Sequence, residues 1–235
     1  MNNLFFEFPS YIKRKIKTKQ TSYSLTGIDL IIKYMFKKKD GFYIDVGCNH
    51  PVYNNNTYLL SKEGWSGINV DIDKKSIDLF NIFRKNDINL NMAASSIIGE
   101  LEYINYHEKS PINKIKTNND VLSEKKVTNI KKINSKTLNS IIENSKYKNT
   151  KIDFISIDVE GHELEVIKGF NLQKYKPRVV VIEYLDLKLK KIDIKNFDIN
   201  NILESEIYEI MISNDYNLVN WLHSDLIFAH NSYKD

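Results

Sequence analysis

Three carboxylates and one imidazole fall within six residues of the run Ser156-Ile157-Asp158-Val159-Glu160-Gly161-His162-Glu163. Charged groups are seldom buried unless they are paired or used, so packing alone is a poor explanation for this cluster. A histidine titrates near neutral pH and can take a proton from a hydroxyl, and the carboxylates beside it can orient it, hold a substrate or bind a metal ion. Helix capping by Asp158 or Glu160, with His162 in solvent, is the plain structural alternative. A second group is Asp45-Val46-Gly47-Cys48-Asn49-His50-Pro51. There Gly47 can take a positive φ and admit a ligand close to the backbone, and the amides opening the next helix can receive an anionic group. Asp71 stands 26 residues after Asp45, a position from which a carboxylate accepts hydrogen bonds from both hydroxyls of a ribose. One glycine in the turn, where a dinucleotide fingerprint has three, leaves a simple tight turn and a solvated strand-end acid open as readings of these two places.

All three groups need buried strands behind them, and the pattern supplies these. FYIDVG reads as a first strand covered on both faces, GINVDI as a second, INLNMAAS as a third, IDFISIDVEG as a fourth ending in the carboxylate cluster, and PRVVVIEYL as a fifth opened by Pro177. Helical segments lie between them: NNTYLLSKEG ended by Gly64, KKSIDLFNIFRKN capped by Asp73, SKTLNSIIENSK from a serine cap, and ELEVIKGF closed by Gly169. ELEYINYH and VTNIKKI form an excursion of two strands joined by the polar loop SPINKIKTNNDVLSEKK. A helix over ILESEIYEIMISND and strands near YNLVNWL and DLIFAH complete the chain. Strands alternating with helices predict a doubly wound α/β fold with a mainly parallel sheet. The expected organisation is a basic arm and N-terminal helix over 1–39, then a domain over 40–235 with a variable loop near 108–127.

Composition narrows the function classes. The 235 residues are 42% hydrophobic, enough for a core, and 34 Lys plus Arg against 30 Asp plus Glu leave a net charge of +4, too small to make the whole surface a polyanion binder. The single cysteine, Cys48, excludes a disulfide framework and a multi-cysteine zinc site, makes a reducing, cytoplasmic setting the expectation, and reads as a small packing residue. The apolar N-terminal residues are interrupted by Glu7 and Pro9, so neither a signal peptide nor a membrane span is expected. His50, His107, His223 and His230 share no ligand spacing and are assigned no chemistry.

Taken in order, YIDVGCNHPVYNNNTYLLSKEGWSGINVDID, NMAAS, TLNSIIENSKYKNTKIDFISIDVEGHELEVIKGF and PRVVVIEYL resemble the FkbM family of S-adenosylmethionine-dependent methyltransferases over roughly residues 40 to 185, and YNLVNWLHSDLIFAH fits that family's last hairpin. The resemblance implies a Rossmann-like, class I fold: seven strands, mainly parallel, with an antiparallel last strand. It also implies methylation of a hydroxyl on a sugar, glycan precursor or other small metabolite. By the same resemblance S-adenosylmethionine would be held by Asp45, Gly47, Asn49 and Thr57, by Asp71 at the ribose with Ile72 beside the adenine, and by Ala93, Ala94 and Ser95. His162, Asp158, Glu160, Gly161 and Glu163 match its most characteristic run, and Glu183 its acid on the fifth strand.

Methyl transfer from a sulfonium is an in-line displacement, so the reacting atoms must be aligned and kept from water. His162 is the expected base, with Asp158 and Glu160 orienting the acceptor. A divalent cation on these oxygens is the less favoured arrangement, and no residue is assigned as a metal ligand. Lys13, Arg14, Lys15, Lys17 and Lys19 in the arm, and Lys114, Lys116, Lys125 and Lys126 in the loop, read as solvated charge or as contacts to the phosphate of a nucleotide-linked sugar. No nucleic-acid partner is expected, because aromatic and basic residues do not recur together in a motif. A nicotinamide-dependent oxidoreductase and a non-enzymatic polyanion-binding factor are the competing readings. The methyltransferase reading requires Asp45, Asp71 and His162 to face one cavity.

Overall fold

The computed structural model describes residues 21–108, 110–117, 129–184 and 198–233. The basic arm and the loop lysines Lys125 and Lys126 lie outside the described residues. Helix α1 (Ile28–Met35) leads into β1 (Phe42–Val46), whose five residues are all buried, as the uninterrupted apolar run requires. Then follow α2 (Tyr58–Lys62), β2 (Ser66–Asp71), α3 (Lys74–Phe83) and β3 (Ile88–Asn91). Asp73 caps α3, its carboxylate accepting from the amides of Lys75 and Ser76, as its position before the helix predicts.

The expected third strand divides after Asn91. Its side-chain amide donates to the carbonyls of Asp71 (3.0 Å) and Ile72 (2.9 Å), which turns the chain away from the first sheet. Ala93–Ala94 (β4) then joins a second, four-stranded sheet with β5 (Gly99–Asn105), β6 (Lys114–Ile115) and β7 (Asn129–Lys136), in the order β4-β7-β5-β6. The two-strand excursion is thus the antiparallel β5·β7 pair, and the loop between them adds the short β6. Helix α4 (Leu138–Glu143) is capped by Thr137 and not by a serine: Ser135 sits in β7 and gives its hydroxyl to the Ile97 carbonyl, 2.6 Å away.

Strand β8 (Phe154–Ile157), α5 (Glu163–Lys168), α6 (Leu172–Tyr175) and β9 (Val179–Glu183) come next. The predicted long C-terminal helix breaks into α7 (Ile199–Leu203) and α8 (Glu206–Ser213), because the Ser205 hydroxyl accepts from the Tyr208 amide and starts a new helix. The hairpin β10 (Tyr216–Leu222) and β11 (Asp225–His230) closes the fold. The large sheet has the order β10-β11-β9-β8-β1-β2-β3, and β11 runs antiparallel to both its neighbours while the pairs from β9 to β3 are parallel.

The pleat distributes side chains to two apolar layers. Ile44, Ile155, Val180 and Phe228 belong to one, Tyr43, Phe154, Val181 and Ile227 to the other. The chain leaves β1 toward β2 on one side and meets β8 on the other. The order therefore reverses between β1 and β8, and a crevice opens beyond their carboxyl ends. No helix among the described residues is long and apolar enough to cross a membrane.

Candidate active site

Beyond β1 the chain must turn within contact distance of the end of β8. Asp158 donates its amide to the Val46 carbonyl (2.9 Å), and Gly47 donates to the Val70 carbonyl (2.8 Å), so three strand tips are laced together. Gly47 has φ +78°, and a Cβ there would stand 1.6 Å from the Asp158 carbonyl oxygen. Only glycine fits this place.

The crevice holds a cavity of about 320 Å³. Gly47, Asn49, Asp71, Ile72, Ala93 and Ala94 line it together with Asp158, Glu160 and His162. Asp45, Thr57 and Ser95 do not line it. The expectation that Asp45 faces the cavity is therefore corrected. Its side chain leaves β1 on the face of Tyr43, into a buried polar network, where it accepts from Thr57 Oγ1 (2.7 Å) and Asn55 Nδ2 (3.0 Å). Thr57 is fully buried in the same network. Ser95 lies behind His162, whose Nε2 is 3.0 Å from its hydroxyl, and so anchors the imidazole from outside the wall.

The Asp71 carboxylate takes the amides of Asn49 and Asp73, each at 2.7 Å, one on each oxygen. A carboxylate has about four lone-pair sites, so two remain for a ligand. Burial pushes its pKa up to about 6, against the opposing pull of those amide bonds.

The acidic loop is held open by one of its own members. Glu163 Oε1 accepts from the amides of Val159 (2.9 Å) and Gly161 (3.0 Å), which stabilises left-handed φ values of +56° at Glu160 and +96° at Gly161. Glu163→Ala is expected to lower stability by about 2 kcal/mol through these two lost charge-assisted bonds, whereas Glu163→Gln keeps an accepting oxygen and costs less. Urea unfolding of both variants checks this. Equal midpoints for the two would contradict a role built on the accepted amides.

Carboxylates crowd the far end. Asp158, Glu160 and Glu183 offer oxygens within 4.8 Å of one another, a spacing compatible with a cation. Asp225 joins them because β11 pairs with β9 in a register that sets it opposite Glu183. Burial and then the neighbouring negative charges push Glu160 up to about 7, and burial and then Asp158 do the same for Asp225. Glu183 is raised well above the carboxylate range by burial and by Asp158, and Asp158 is raised by burial. His162 goes the other way: burial lowers its pKa and keeps the imidazole neutral.

Sequence reading missed several wall residues: Leu25 and Thr26 before α1, Asn54, Ser110 to Asn113, and His223 to Asp225 in the last hairpin turn. The hairpin residues carry no local signal, since only the antiparallel placement of β11 brings its start to the crevice. Cys48 packs against Ile77 and Phe80, as expected of a small apolar residue.

A mostly parallel seven-stranded sheet, a reversed β11 between β9 and β10, and a cavity at the strand-order reversal define a Rossmann-like methyltransferase fold, the class expected from the sequence. The model of the methyltransferase FkbM domain matches residues 45–216. The chain belongs to this family. Among solved structures it is similar to a TehB-like SAM-dependent methyltransferase from Corynebacterium glutamicum, with 12% identity, a TM-score of 0.44, and coverage of 98% of this chain and 100% of that one. It is also similar to an FkbM methyltransferase from Methylobacillus flagellatus, with 15% identity, a TM-score of 0.44, and coverage of 81% of this chain and 44% of that one. No curated protein matches.

Proposed function

We propose that this methyltransferase uses S-adenosylmethionine to methylate a hydroxyl of a small sugar, glycan precursor or related metabolite. The observation that carries the reading is one cavity lined by Gly47, Asn49 and Asp71 and also by Asp158, Glu160 and His162. The residues fit a sulfonium nucleoside: Asp71 keeps accepting capacity toward a ribose, and the bare backbone at Gly47 leaves room for the methionine end. Ile72, Ala93 and Ala94 offer an apolar surface to the adenine. When bound, the cofactor supplies an electrophilic methyl group.

The chain's own residues do the rest. Asp158 and Glu160 accept hydrogen bonds from the acceptor and fix its orientation, and His162, neutral and anchored at Ser95, takes the hydroxyl proton. Asp158, Glu160, Glu183 and Asp225 stand on the wall, and no lysine or arginine does among the described residues. The part of the acceptor nearest the reacting hydroxyl is therefore neutral or cationic, and a nucleotide phosphate would have to lie farther out. Lys116, one of the loop cations offered for such a phosphate, is paired with Glu102 at 2.7 Å.

Titration calorimetry is expected to find S-adenosylmethionine binding to the wild-type chain, and Asp71→Ala to weaken it about tenfold or more through the lost ribose contacts. Absence of binding by the wild type, with binding of a dinucleotide instead, would overturn the reading. A labelled-methyl screen of neutral glycans, amino sugars and nucleotide sugars then identifies the acceptor.

A further inference from the structure

Arg84 carries a positive charge into the interior beneath the cavity without standing on its wall. The side chain is 1% exposed. Its Nη1 donates to the Pro51 carbonyl (3.1 Å), Nη2 to Tyr43 Oη (2.8 Å) and Thr57 Oγ1 (2.6 Å), and Nε to the Asp87 carboxylate (3.2 Å). Thr57 Oγ1 in turn lies 2.7 Å from Asp45 Oδ2, and Asn55 Nδ2 reaches both Asp45 Oδ2 (3.0 Å) and the Cys48 carbonyl (3.2 Å). One guanidinium thus ties the segment between β1 and α2 at Pro51 and Thr57, and Asn55 adds a bond at Cys48.

That segment is what needs tying. It carries Asn49, Asn54 and Asn56 on the cavity wall, and Asn49 and Asn54 are non-glycine residues with φ of +48° and +47°. Such conformations persist only where the surroundings over-determine them. On its other side Asp87 accepts from the Gly67 amide (2.9 Å) and Asn69 Nδ2 (3.1 Å), so the same network grips β2, the strand that ends in Asp71.

We propose that Arg84 is a positioning residue for the cofactor: acting through Pro51, Thr57 and Asp45, it holds the segment from 47 to 57 in the shape that receives the sulfonium nucleoside. The inference rests on the methyltransferase reading above. A planar fork with five donors can satisfy these acceptors together, and a lysine ammonium with three donors on one atom cannot span them.

The test uses the full-length chain with Arg84→Lys, Thr57→Val and the double variant, titrated with S-adenosylmethionine and followed by hydrogen exchange. Each single variant is expected to raise Kd about tenfold, as a displaced binding loop does. Amides of residues 47 to 57 are expected to exchange faster, while those of β8 and β9 keep their protection. Because both substitutions cut the shared Arg84–Thr57 link, the losses in the double variant are expected to be clearly less than additive.

Unchanged Kd in both single variants overturns the proposal. So do fully additive losses, or protection lost across the whole sheet, which would mark a general loss of fold. If Arg84→Lys does not accumulate, Thr57→Val decides, since it changes neither charge nor size. A wild-type chain that binds no sulfonium nucleoside overturns the methyltransferase reading and this inference with it, whereas wild-type binding with unaffected variants overturns this inference alone.

Discussion

Gly47→Ala is expected to abolish detectable binding of S-adenosylmethionine and to lower stability by about 3 kcal/mol or more, the cost of a strained backbone added to an overpacked contact. The new methyl group would lie 1.6 Å from the Asp158 carbonyl oxygen and 2.7 Å from its carbonyl carbon. Both are backbone atoms, and Asp158 is held in place by its own bond to the Val46 carbonyl, so no side-chain rotation relieves the clash. The tips of β1 and β8 would have to separate, and the cavity that Gly47 and Asp158 both line would be distorted. Gly161→Ala is the control. Its φ is +96°, but a Cβ there meets nothing within 4 Å, so only the left-handed strain of about 1 kcal/mol applies. Urea unfolding of both variants beside calorimetry measures the contrast. Equal stability losses, or normal cofactor affinity in Gly47→Ala, would refute the close approach as the device that forms the site.

His162→Ala is expected to lower kcat by about 100-fold to 10,000-fold, the usual contribution of a positioned base, while cofactor affinity changes little. The pH dependence separates this base from its neighbours. A base works deprotonated, so the rate rises with pH through its pKa. Burial moves His162 below its ordinary value of 6.5, whereas Glu160 and Asp225 are pushed up to about 7. An acid limb below pH 6.5 that disappears in His162→Ala therefore identifies the imidazole. A limb near 7 that survives the substitution transfers the role to the carboxylate cluster, and Glu160→Gln would then carry the large loss.

The strands that build the large sheet were legible because each is a short apolar run that can be satisfied only by cover on both faces. Phe42 to Val46 and Val179 to Glu183 are examples, four or five of their residues being buried. The small sheet was harder to read. Ala93 and Ala94 continue the apolar run of β3, and it is the Asn91 side chain, capping two carbonyls, that sends them elsewhere. Breaks of this kind depend on one hydrogen-bonding side chain and leave no periodicity to detect. Ser205 divides the last helical stretch in the same way.

By itself the sequence determined the succession along the chain of the strands of the large sheet, the FkbM resemblance, and the residues at the strand tips: Gly47, Asp71, and the run from Asp158 to His162. These are local properties of chain stiffness, burial and turn chemistry. Tertiary structure alone decided which of them share a cavity. Asp45 turns away because the pleat gives alternate residues to opposite faces, and it serves a network around Arg84, 39 residues later, that no spacing announces. Asp225 enters because an antiparallel strand arrives with its beginning, and not its end, at the crevice. Side-chain direction and strand polarity are set by pairing between distant segments, so they become visible only once the sheet is assembled.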